Sequence, residues 1–335
     1  MRLAVALLLS LALGPLMIFG LRRLHAVDQP CARSSHRTPT LRGGGLAPAL
    51  AAVGGLLYGT EMTGEALVAL LAGSVAFGAI GLAEDLRGVP AMPRLALQLA
   101  AAVATLPLLL ADLSGPLVWR LVFSAGVVLW LASYVNAFNF MDGINGISVA
   151  QVVVAGVAWW VIGRGHGADD LAAAALVVAL AALGFLPFNF PHARMFLGDV
   201  GSYFLGAWLA VLAVVGLRAG VAFEAMFAPL ALYLADTGAT LVRRVRRRET
   251  WHEPHLDHAY QRLHHGGGWS HARTAATAAT LMVVCSVLGA VSEAPSLVAR
   301  VVADVALAGV VAGYLSLPGA LGCGASTSPL KGASA

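Results

Sequence analysis

Long apolar segments separated by short polar connections recur along the whole chain. Each is close to the roughly 20 residues that an α-helix needs to cross about 30 Å of hydrocarbon. The second is rich in Gly and Ala, and its loss would reverse the side of every segment after it. The pattern predicts eleven transmembrane helices, near residues 3–21, 44–60, 64–83, 93–112, 117–135, 146–163, 170–187, 201–217, 222–242, 271–292 and 296–317.

The composition agrees with that pattern. The 335 residues are 59% hydrophobic and 11% charged, with a mean hydropathy of +0.81. A soluble globular protein carries about twice this charged fraction. We therefore expect an all-α integral membrane protein, with one polytopic domain over residues 1–318 and a flexible cytoplasmic tail over residues 319–335, which is mostly Gly, Ala and Ser.

The basic residues indicate how the helices are oriented. With the N-terminus outside, the cytoplasmic connections and the tail hold sixteen of the 21 Lys and Arg residues, as the positive-inside rule requires. The other five are Arg2, Arg120, Arg164, Arg218 and Arg300. The C-terminus is then cytoplasmic, and the net charge of +4 reflects orientation, with no nucleic acid expected as a partner.

The first apolar segment has two possible interpretations, and the cysteines predict neither a metal site nor a disulfide. The first apolar segment could be a cleaved signal peptide, but its basic pair, Arg22-Arg23, follows the apolar run, which favours a signal anchor. Cys31, Cys285 and Cys323 have no metal-binding or redox spacing, so we expect no disulfide.

Five polar segments fall on the cytoplasmic side, and the first two suit anions and cations. Residues 28–45 combine spaced Arg and His with the run Gly43-Gly44-Gly45, whose backbone N–H groups can close on an anion. Glu84 and Asp85 are adjacent carboxylates at the inner end of a helix, where charge is costly unless it meets a metal, a cation or water. The alternatives are a basic topology determinant and a charge pair at a helix end.

The third and fourth segments carry amides, carboxylates and glycines. Asn136, Asn139 and Asp142 are spaced three apart, so they share one face if the preceding helix continues. In residues 187–202, Gly198 and Gly201 flank Asp199, which permits close approach of a metal-bound phosphate, and Ser202 is a candidate cap for the next helix. Ordinary interhelical turns are the alternative for both segments.

The fifth segment begins on the ninth predicted helix. Asp236, Thr240, Arg243 and Arg247 are spaced to fall on one face. Residues 251–263 then predict a short helix with Pro254 at its first position and two histidines, His255 and His258, near its positive end. That arrangement suits an anion. A zinc site and a headgroup-facing arginine stripe are the alternatives.

Together these residues resemble the polyprenyl-phosphate N-acetylhexosamine-1-phosphate transferases, the family that includes phospho-N-acetylmuramoyl-pentapeptide translocase. The resemblance spans most of the chain. Its motifs are Pro39-Thr40 with Gly43-Gly44-Gly45; Glu84-Asp85 with Arg94 and Gln98; Asn136, Asn139, Asp142 and Gly143; Asn189, Pro191, Phe196, Gly198, Asp199, Gly201 and Ser202; and Asp236, Thr240, Arg243, Arg244, His255, His258 and Gln261.

The resemblance implies a Mg²⁺-dependent reaction, with Mn²⁺ as an alternative, in which undecaprenyl phosphate attacks a UDP-N-acetylhexosamine and releases UMP. The family analogy assigns a role to most of the residues above. Asp199 binds the metal with help from Asn189 and Asp142; Asn136, Asn139, Asp142 and Asn189 hold the nucleotide; Phe196 stacks on uracil; Gly44, Gly45, Arg244, His255 and His258 hold phosphates; and Asp85, with Glu84 beside it, deprotonates or orients the lipid phosphate.

One departure from the family pattern concerns Glu84, because the family usually has Asp-Asp at this pair. The base role of Asp85 is also limited by chemistry. A phosphate monoester has a second pKa near 6, so the acceptor is largely dianionic at pH 7 and needs a metal and positioning more than proton removal. A covalent aspartyl-phosphate intermediate stays open as a second mechanism.

The resemblance also implies a location and a pathway. The variants Ser34-Ser35-His36 and His258-Ala259-Tyr260-Gln261 are most similar to the branch that starts O-antigen or other surface polysaccharides. We expect a bacterial inner-membrane protein among membrane lipids, with its active site on the cytoplasmic face and its donor chosen by residues 249–270. A homodimer is compatible with this reading. Peptidoglycan lipid I synthesis, an anion transporter and a scaffold are the alternatives.

Overall fold

The computed structural model describes residues 3–30, 35, 38–111, 113–249 and 255–323. Apart from one short hairpin, its regular elements are helical. The strands are β1 (Val27–Asp28) and β2 (Thr40–Leu41). The helices are α1 (Ala4–Arg23), α2 (Leu46–Gly59), α3 (Gly64–Arg87), α4 (Ala91–Leu109), α5 (Leu117–Met141), α6 (Ile147–His166), α7 (Asp169–Asn189), α8 (Gly198–Arg218), α9 (Phe223–Phe227), α10 (Ala231–Arg246), α11 (Ala259–Gln261), α12 (His271–Ala290) and α13 (Leu297–Ala320).

Ten helical segments in the described part of the chain are long and apolar enough to cross a membrane. One of them joins α9 and α10 through a 3₁₀ turn at Ala228–Leu230. These spans and the near-absence of strands confirm an all-α, multi-pass membrane protein. The remaining apolar helix is α2, the Gly- and Ala-rich segment.

With 14 residues, α2 is about 21 Å long, which is less than the hydrocarbon thickness. It nevertheless runs back along α1, since Gly45 at its start lies against Gly201 while Gly55 packs on Ala6. Thr60 and Thr63 then continue with extended backbone into α3. The chain therefore passes from one end of the bundle to the other along α2, as the eleven-span prediction requires.

Helix α8 lies at the centre of the bundle. Of its most apolar stretch 89% is buried, against 11% for α13, which is peripheral. It packs closely on α3 because glycines there remove side chains: a Cβ on Gly81 would lie 2.1 Å from the Asp199 carbonyl oxygen. This contact sets the end of α3, with its two carboxylates, beside the start of α8.

Several predicted boundaries move, and two moves affect the site. Helix α5 continues to Met141, so Asn136 and Asn139 lie on it. Helix α8 begins at Gly198, so Asp199 is in its first turn and Ser202 is inside the helix; the expectation that Ser202 caps it is wrong. At the other end of the chain, α13 extends to Ala320, Cys323 is buried, and residues 324–335 of the expected tail lie outside the described residues.

Candidate active site

The end of α3 and the start of α8 meet around Arg42, which follows β2. Arg42 Nε donates to Asp85 Oδ1 at 2.7 Å, and its Nη2 donates to Asp199 Oδ2 at 2.8 Å. The guanidinium therefore lies between two acidic side chains that would otherwise repel each other. Arg42 is a site residue that the sequence pattern did not predict, although its position directly before Gly43-Gly44-Gly45 was an available signal.

Asp85 caps helix α8. Its Oδ1 accepts from the backbone N–H of Asp199 at 3.0 Å, and its Oδ2 accepts from that of Val200 at 2.9 Å. These N–H groups have no partner inside the helix, and an anion at this end also interacts favourably with the helix dipole. Together with the hydrogen bond from Arg42, the Asp85 carboxylate accepts three hydrogen bonds. Its main structural role is therefore to orient the start of α8.

Asp199 projects from that first turn toward the end of α5. Its Oδ1 accepts from Asn139 Nδ2 at 2.8 Å, and the same Nδ2 donates to Ser202 Oγ at 2.9 Å. Arg42 holds its Oδ2, so both oxygens of Asp199 are oriented by neighbours. The structure thus joins the first four predicted polar segments at one end of the bundle.

Arg42, Asn139 and Asp199 border a polar cavity of about 390 Å³, and Asp85 is not among the residues that line it. Asp142, at the C-terminal end of α5, lines the same cavity; burial raises the pKa of its carboxyl to about 7, and the charges of Asp199 and Asp85 act in the same direction. The lining residues are Asp28, Ser35, Arg42, Asn139, Asp142, Gly143, Ile144, Asn145, Asn189, Phe196, Leu197, Gly198, Asp199, His255, Leu256, Gln261 and His271.

The Asn189 side chain is hydrogen-bonded within the fold. Asn189 Oδ1 accepts from the Gly146 N–H at 2.7 Å, and its Nδ2 donates to the Met195 carbonyl at 3.3 Å. Asn189 borders the cavity, but this amide chiefly fastens the start of α6 to the loop before α8. One oxygen lone pair remains for its predicted metal role, and that lone pair and one N–H remain for its predicted nucleotide role.

Gly44 and Gly45 serve packing, which corrects the expectation that they cradle a phosphate. Their N–H groups donate to the Phe196 and Leu197 carbonyls at 2.9 and 2.8 Å, and neither residue lines the polar cavity. A Cβ on Gly45 would lie 2.3 Å from Gly201 Cα. Close approach of α2 to α8 explains the two glycines, because no side chain fits between the two backbones.

Glu84 and Asp85 have different environments. Glu84 accepts from Arg94 Nη1 at 3.1 Å and from the Val89 N–H at 2.5 Å, so it braces the turn between α3 and α4. It does not line the polar cavity. In this structure Glu84 orients Arg94, and its catalytic role stays a prediction.

A second, mostly apolar groove of about 430 Å³ runs between α4, α5 and α10. Asn136 faces this groove and not the polar cavity, because its amide donates to Gln98 Oε1 at 2.6 Å. The lining residues are Ala91, Arg94, Leu95, Leu99, Leu129, Ala132, Ser133, Asn136, Ala137, Phe140, Leu234, Thr237, Gly238, Thr240, Leu241, Arg244, His255 and His258.

His255 borders both the polar cavity and the apolar groove. The rings of His255 and His258 are 5.0 Å apart. Burial, together with the charges of His258 and Arg244, lowers the pKa of His255 to about 4, so this ring is neutral at pH 7. The fifth polar segment therefore joins the site through its histidines. Pro254 and the expected helix start there lie outside the described residues.

Arg244 lines the groove and is held by acidic partners. Its Nη1 lies 3.0 Å from Asp257 Oδ2 and 3.2 Å from Glu249 Oε2. Three of the four residues predicted to share a face of α10 are linked: Arg243 Nη2 donates to Thr240 Oγ1 at 2.8 Å, and Thr240 Oγ1 lies 3.4 Å from Asp236 Oδ1. The fourth, Arg247, follows the end of the helix.

Comparisons with known proteins agree with this architecture. Residues 67–217 match the family model described as glycosyl transferase family 4. The decaprenyl-phosphate N-acetylglucosaminephosphotransferase of Mycobacterium tuberculosis (strain ATCC 25618 / H37Rv) is 33% identical, over 78% of this chain and 74% of its own length. The chain belongs to glycosyl transferase family 4.

Two further relatives carry different names. The probable undecaprenyl-phosphate N-acetylglucosaminyl 1-phosphate transferase of Bacillus subtilis (strain 168) is 28% identical, over 77% of this chain and 75% of its own. The phospho-N-acetylmuramoyl-pentapeptide-transferase of Gluconacetobacter diazotrophicus (strain ATCC 49037 / DSM 5601 / CCUG 37298 / CIP 103539 / LMG 7603 / PAl5) is 31% identical, over 62% of this chain and 69% of its own. Membership of family 4 confirms the resemblance drawn from the motifs and makes the protein a transferase. The matched region contains the second, third and fourth polar segments.

Proposed function

We propose that this protein transfers an N-acetylhexosamine-1-phosphate from a UDP-sugar to a polyprenyl phosphate, giving a lipid-linked sugar diphosphate and UMP. One observation carries the proposal: a polar cavity with three acidic side chains and an apolar groove among membrane helices meet at His255. A soluble anionic donor and an acceptor with a hydrocarbon tail require two such surfaces in contact.

The apolar groove suits the acceptor. Leucine and alanine side chains of α4, α5 and α10 form its walls, which match an isoprenoid chain entering from the bilayer. Three polar residues, Arg94, Arg244 and His258, also line the groove. Their side chains can bind the phosphate of the acceptor. The acceptor phosphate is thereby held near His255, beside the polar cavity.

The polar cavity suits the donor. Phe196 offers an aromatic face for uracil, and Asn139 and Asn145 offer amide groups for hydrogen bonding to a nucleotide. His255 and Gln261 come from the region after α10 and line the same cavity, which supports a role for residues 249–270 in choosing the sugar. Residues 250–254 of that region lie outside the described residues.

The acidic residues fit Mg²⁺, or Mn²⁺ in its place. The described residues contain no group of three or more His, Cys, Asp or Glu side chains arranged to hold a metal. Mg²⁺ needs only one or two carboxylates when substrate phosphates complete its shell. Asp199 and Asp142, which both line the cavity, would hold the ion. The Arg42 guanidinium lies between Asp85 and Asp199, so these carboxylates already stabilise one positive charge. When bound, the ion would neutralise charge on the diphosphate.

In the reaction, an oxygen of the acceptor phosphate attacks the β-phosphorus of the UDP-sugar. The bond between the β-phosphorus and the bridging oxygen breaks, UMP leaves with that oxygen, and a new diphosphate forms on the lipid. Asp85 acts by orienting Arg42 and the start of α8, because its oxygens accept three hydrogen bonds and the acceptor is largely dianionic at pH 7. Direct attack needs no protein nucleophile.

We propose surface-polysaccharide initiation as the pathway, with a UDP-N-acetylhexosamine as donor, at the cytoplasmic face of a bacterial inner membrane. The purified protein should be tested with undecaprenyl phosphate against UDP-GlcNAc, UDP-GalNAc, a 6-deoxy UDP-HexNAc and UDP-MurNAc-pentapeptide. Preference for the pentapeptide donor would move the protein to peptidoglycan synthesis. Absence of transfer from every donor, in protein that remains folded, would refute the proposed activity.

Exchange of labelled UMP into the UDP-sugar separates the two mechanisms. Direct attack requires the lipid phosphate for exchange, because UMP can return only from the lipid-linked product. A covalent aspartyl-phosphate intermediate would support exchange without any lipid. We expect exchange only in the presence of undecaprenyl phosphate.

A further inference from the structure

Asp236, on α10, is a fully buried carboxylate that the proposed mechanism has not used. It meets five hydrogen-bonding groups, all of which can donate. Oδ1 lies 2.9 Å from the Ala259 N–H, 3.3 Å from His258 Nδ1 and 3.4 Å from Thr240 Oγ1; Oδ2 lies 2.9 Å from Tyr314 Oη and 3.5 Å from the Tyr260 N–H. A buried carboxylate needs such partners, and an ionised one can only accept.

These contacts reach three parts of the fold. Ala259 and Tyr260 begin the short helix α11, where His258 is the N-cap and its own N–H donates to Gln261 Oε1 at 3.3 Å. Tyr314 belongs to α13, which is otherwise peripheral. Asp236 therefore ties the segment after α10, which carries the site histidines, to two membrane helices.

The contact to His258 also determines which ring nitrogen carries a proton. In the capping arrangement of α11 the His258 side chain accepts from the Gln261 backbone N–H, which by itself would favour an unprotonated ring nitrogen on that side. A lone pair on Nδ1 would nevertheless repel the ionised Oδ1 at 3.3 Å, so a protonated Nδ1 is favoured. Nε2 is then the ring nitrogen left for a ligand in the apolar groove, which His258 lines.

We propose that Asp236 is a positioning residue for the phosphate transfer: it fixes the orientation and Nδ1 protonation of His258, so that Nε2 is presented to the acceptor phosphate. The proposal rests on the function proposed above. The chemistry resembles that of metal and catalytic histidines, whose second nitrogen is commonly held by a carboxylate. Asp236 itself touches no substrate.

The first test requires no activity. Protein labelled with ¹⁵N-histidine is compared as wild type, Asp236→Asn and Tyr314→Phe, and the His258 signals are identified by their loss in His258→Gln. We expect a protonated Nδ1 in the wild type and in Tyr314→Phe, which keeps the Oδ1 contact, and loss of that state in Asp236→Asn. A wild-type His258 with an unprotonated Nδ1 would overturn the proposal, even if Asp236→Asn does not fold.

The second test is a double-mutant cycle on kcat. Asp236→Asn should lower kcat by about 10- to 100-fold in the wild type, as outer-shell partners of site histidines do. In the His258→Gln background it should cost less than about 3-fold, because its route of action is already removed. An equal loss in both backgrounds would mean a general structural role and refute the proposal. If the wild type shows no transferase activity, the proposed function is refuted instead. The ¹⁵N spectra would still test whether Asp236 fixes the protonation of His258.

Discussion

Asp85 accepts a hydrogen bond from the backbone N–H of Asp199 at 3.0 Å, so one acidic residue orients the helix turn that presents the other. Both side chains also hold Arg42. The two residues therefore have different roles. Asp85 supports the geometry of the site, and Asp199 faces the cavity in which the donor is proposed to bind.

The cap predicts a stability change. Asp85→Ala removes the acceptor for the N–H groups of Asp199 and Val200, and loss of a helix cap costs about 0.5–2 kcal/mol. We expect a lower unfolding temperature in detergent, with a smaller decrease for Asp85→Asn, which keeps one acceptor oxygen. Asp170→Asn, at an exposed carboxylate at the other end of the bundle, is the control. An Asp85→Ala protein as stable as the wild type would contradict the capping role.

Asp199→Asn should abolish turnover in a protein that remains folded. The amide keeps the shape of the side chain but removes the charge that a hard cation requires, and we expect a loss of about 100-fold or more in kcat. The matched control is Ser202→Ala, which removes an acceptor for Asn139 but no charge. It should cost less than about 10-fold. Asp199→Asn activity within a few-fold of wild type in saturating Mg²⁺ would exclude Asp199 as the metal ligand.

The buried Asp142 predicts a pH dependence of stability. Its pKa is about 7 in the folded protein and about 3.9 in an unfolded chain, so the folded state retains a proton that the unfolded state has released. Stability contributed by this proton is complete below about pH 4 and is lost as the pH rises through 7. Asp142→Asn should therefore unfold at a higher temperature than wild type at pH 8 without ligands, and this advantage should shrink toward pH 5. A difference that is constant with pH would be inconsistent with the buried carboxyl.

Gly45→Ala should separate α2 from α8. The new Cβ would lie 2.3 Å from Gly201 Cα and 2.5 Å from the Leu197 carbonyl oxygen, and neither backbone atom can rotate away. We expect a clear decrease in unfolding temperature and in activity. Gly126→Ala, inside α5 and with nothing within 4 Å, should lower neither, because alanine favours the helix. Equal behaviour of the two variants would refute the packing role of Gly45.

The orientation of the bundle can be tested by labelling. In a variant with Cys31, Cys285 and Cys323 replaced by Ser, a cysteine at exposed Arg247 should resist an impermeant thiol reagent in intact cells. A cysteine at exposed Glu65, at the opposite end of the bundle, should react. The charge asymmetry of the loops predicts this result. Labelling at residue 247 in intact cells would place the site outside and contradict the proposed localisation.

The sequence by itself predicted much of the fold because crossing a membrane is a local property. Each segment's apolarity sets its transfer free energy without reference to the other segments. The continuation of polar motifs from the ends of α3, α5 and α7 also indicated one shared face. Only α2 was ambiguous, because it is short and rich in Gly and Ala, and the reason for its glycines lies in its contacts with α1 and α8.

The tertiary structure alone decided what each polar residue does. Asp85 and Asp199 are 114 positions apart, and no spacing rule indicates that one caps the helix of the other. Adjacent Glu84 and Asp85 look equivalent in the sequence, yet one braces Arg94 and the other α8. Hydrogen bonds act over about 3 Å and depend on orientation, so a residue's partner is determined by packing between distant segments. The membrane insertion of a segment depends on the composition of that segment, so it could be predicted from the sequence.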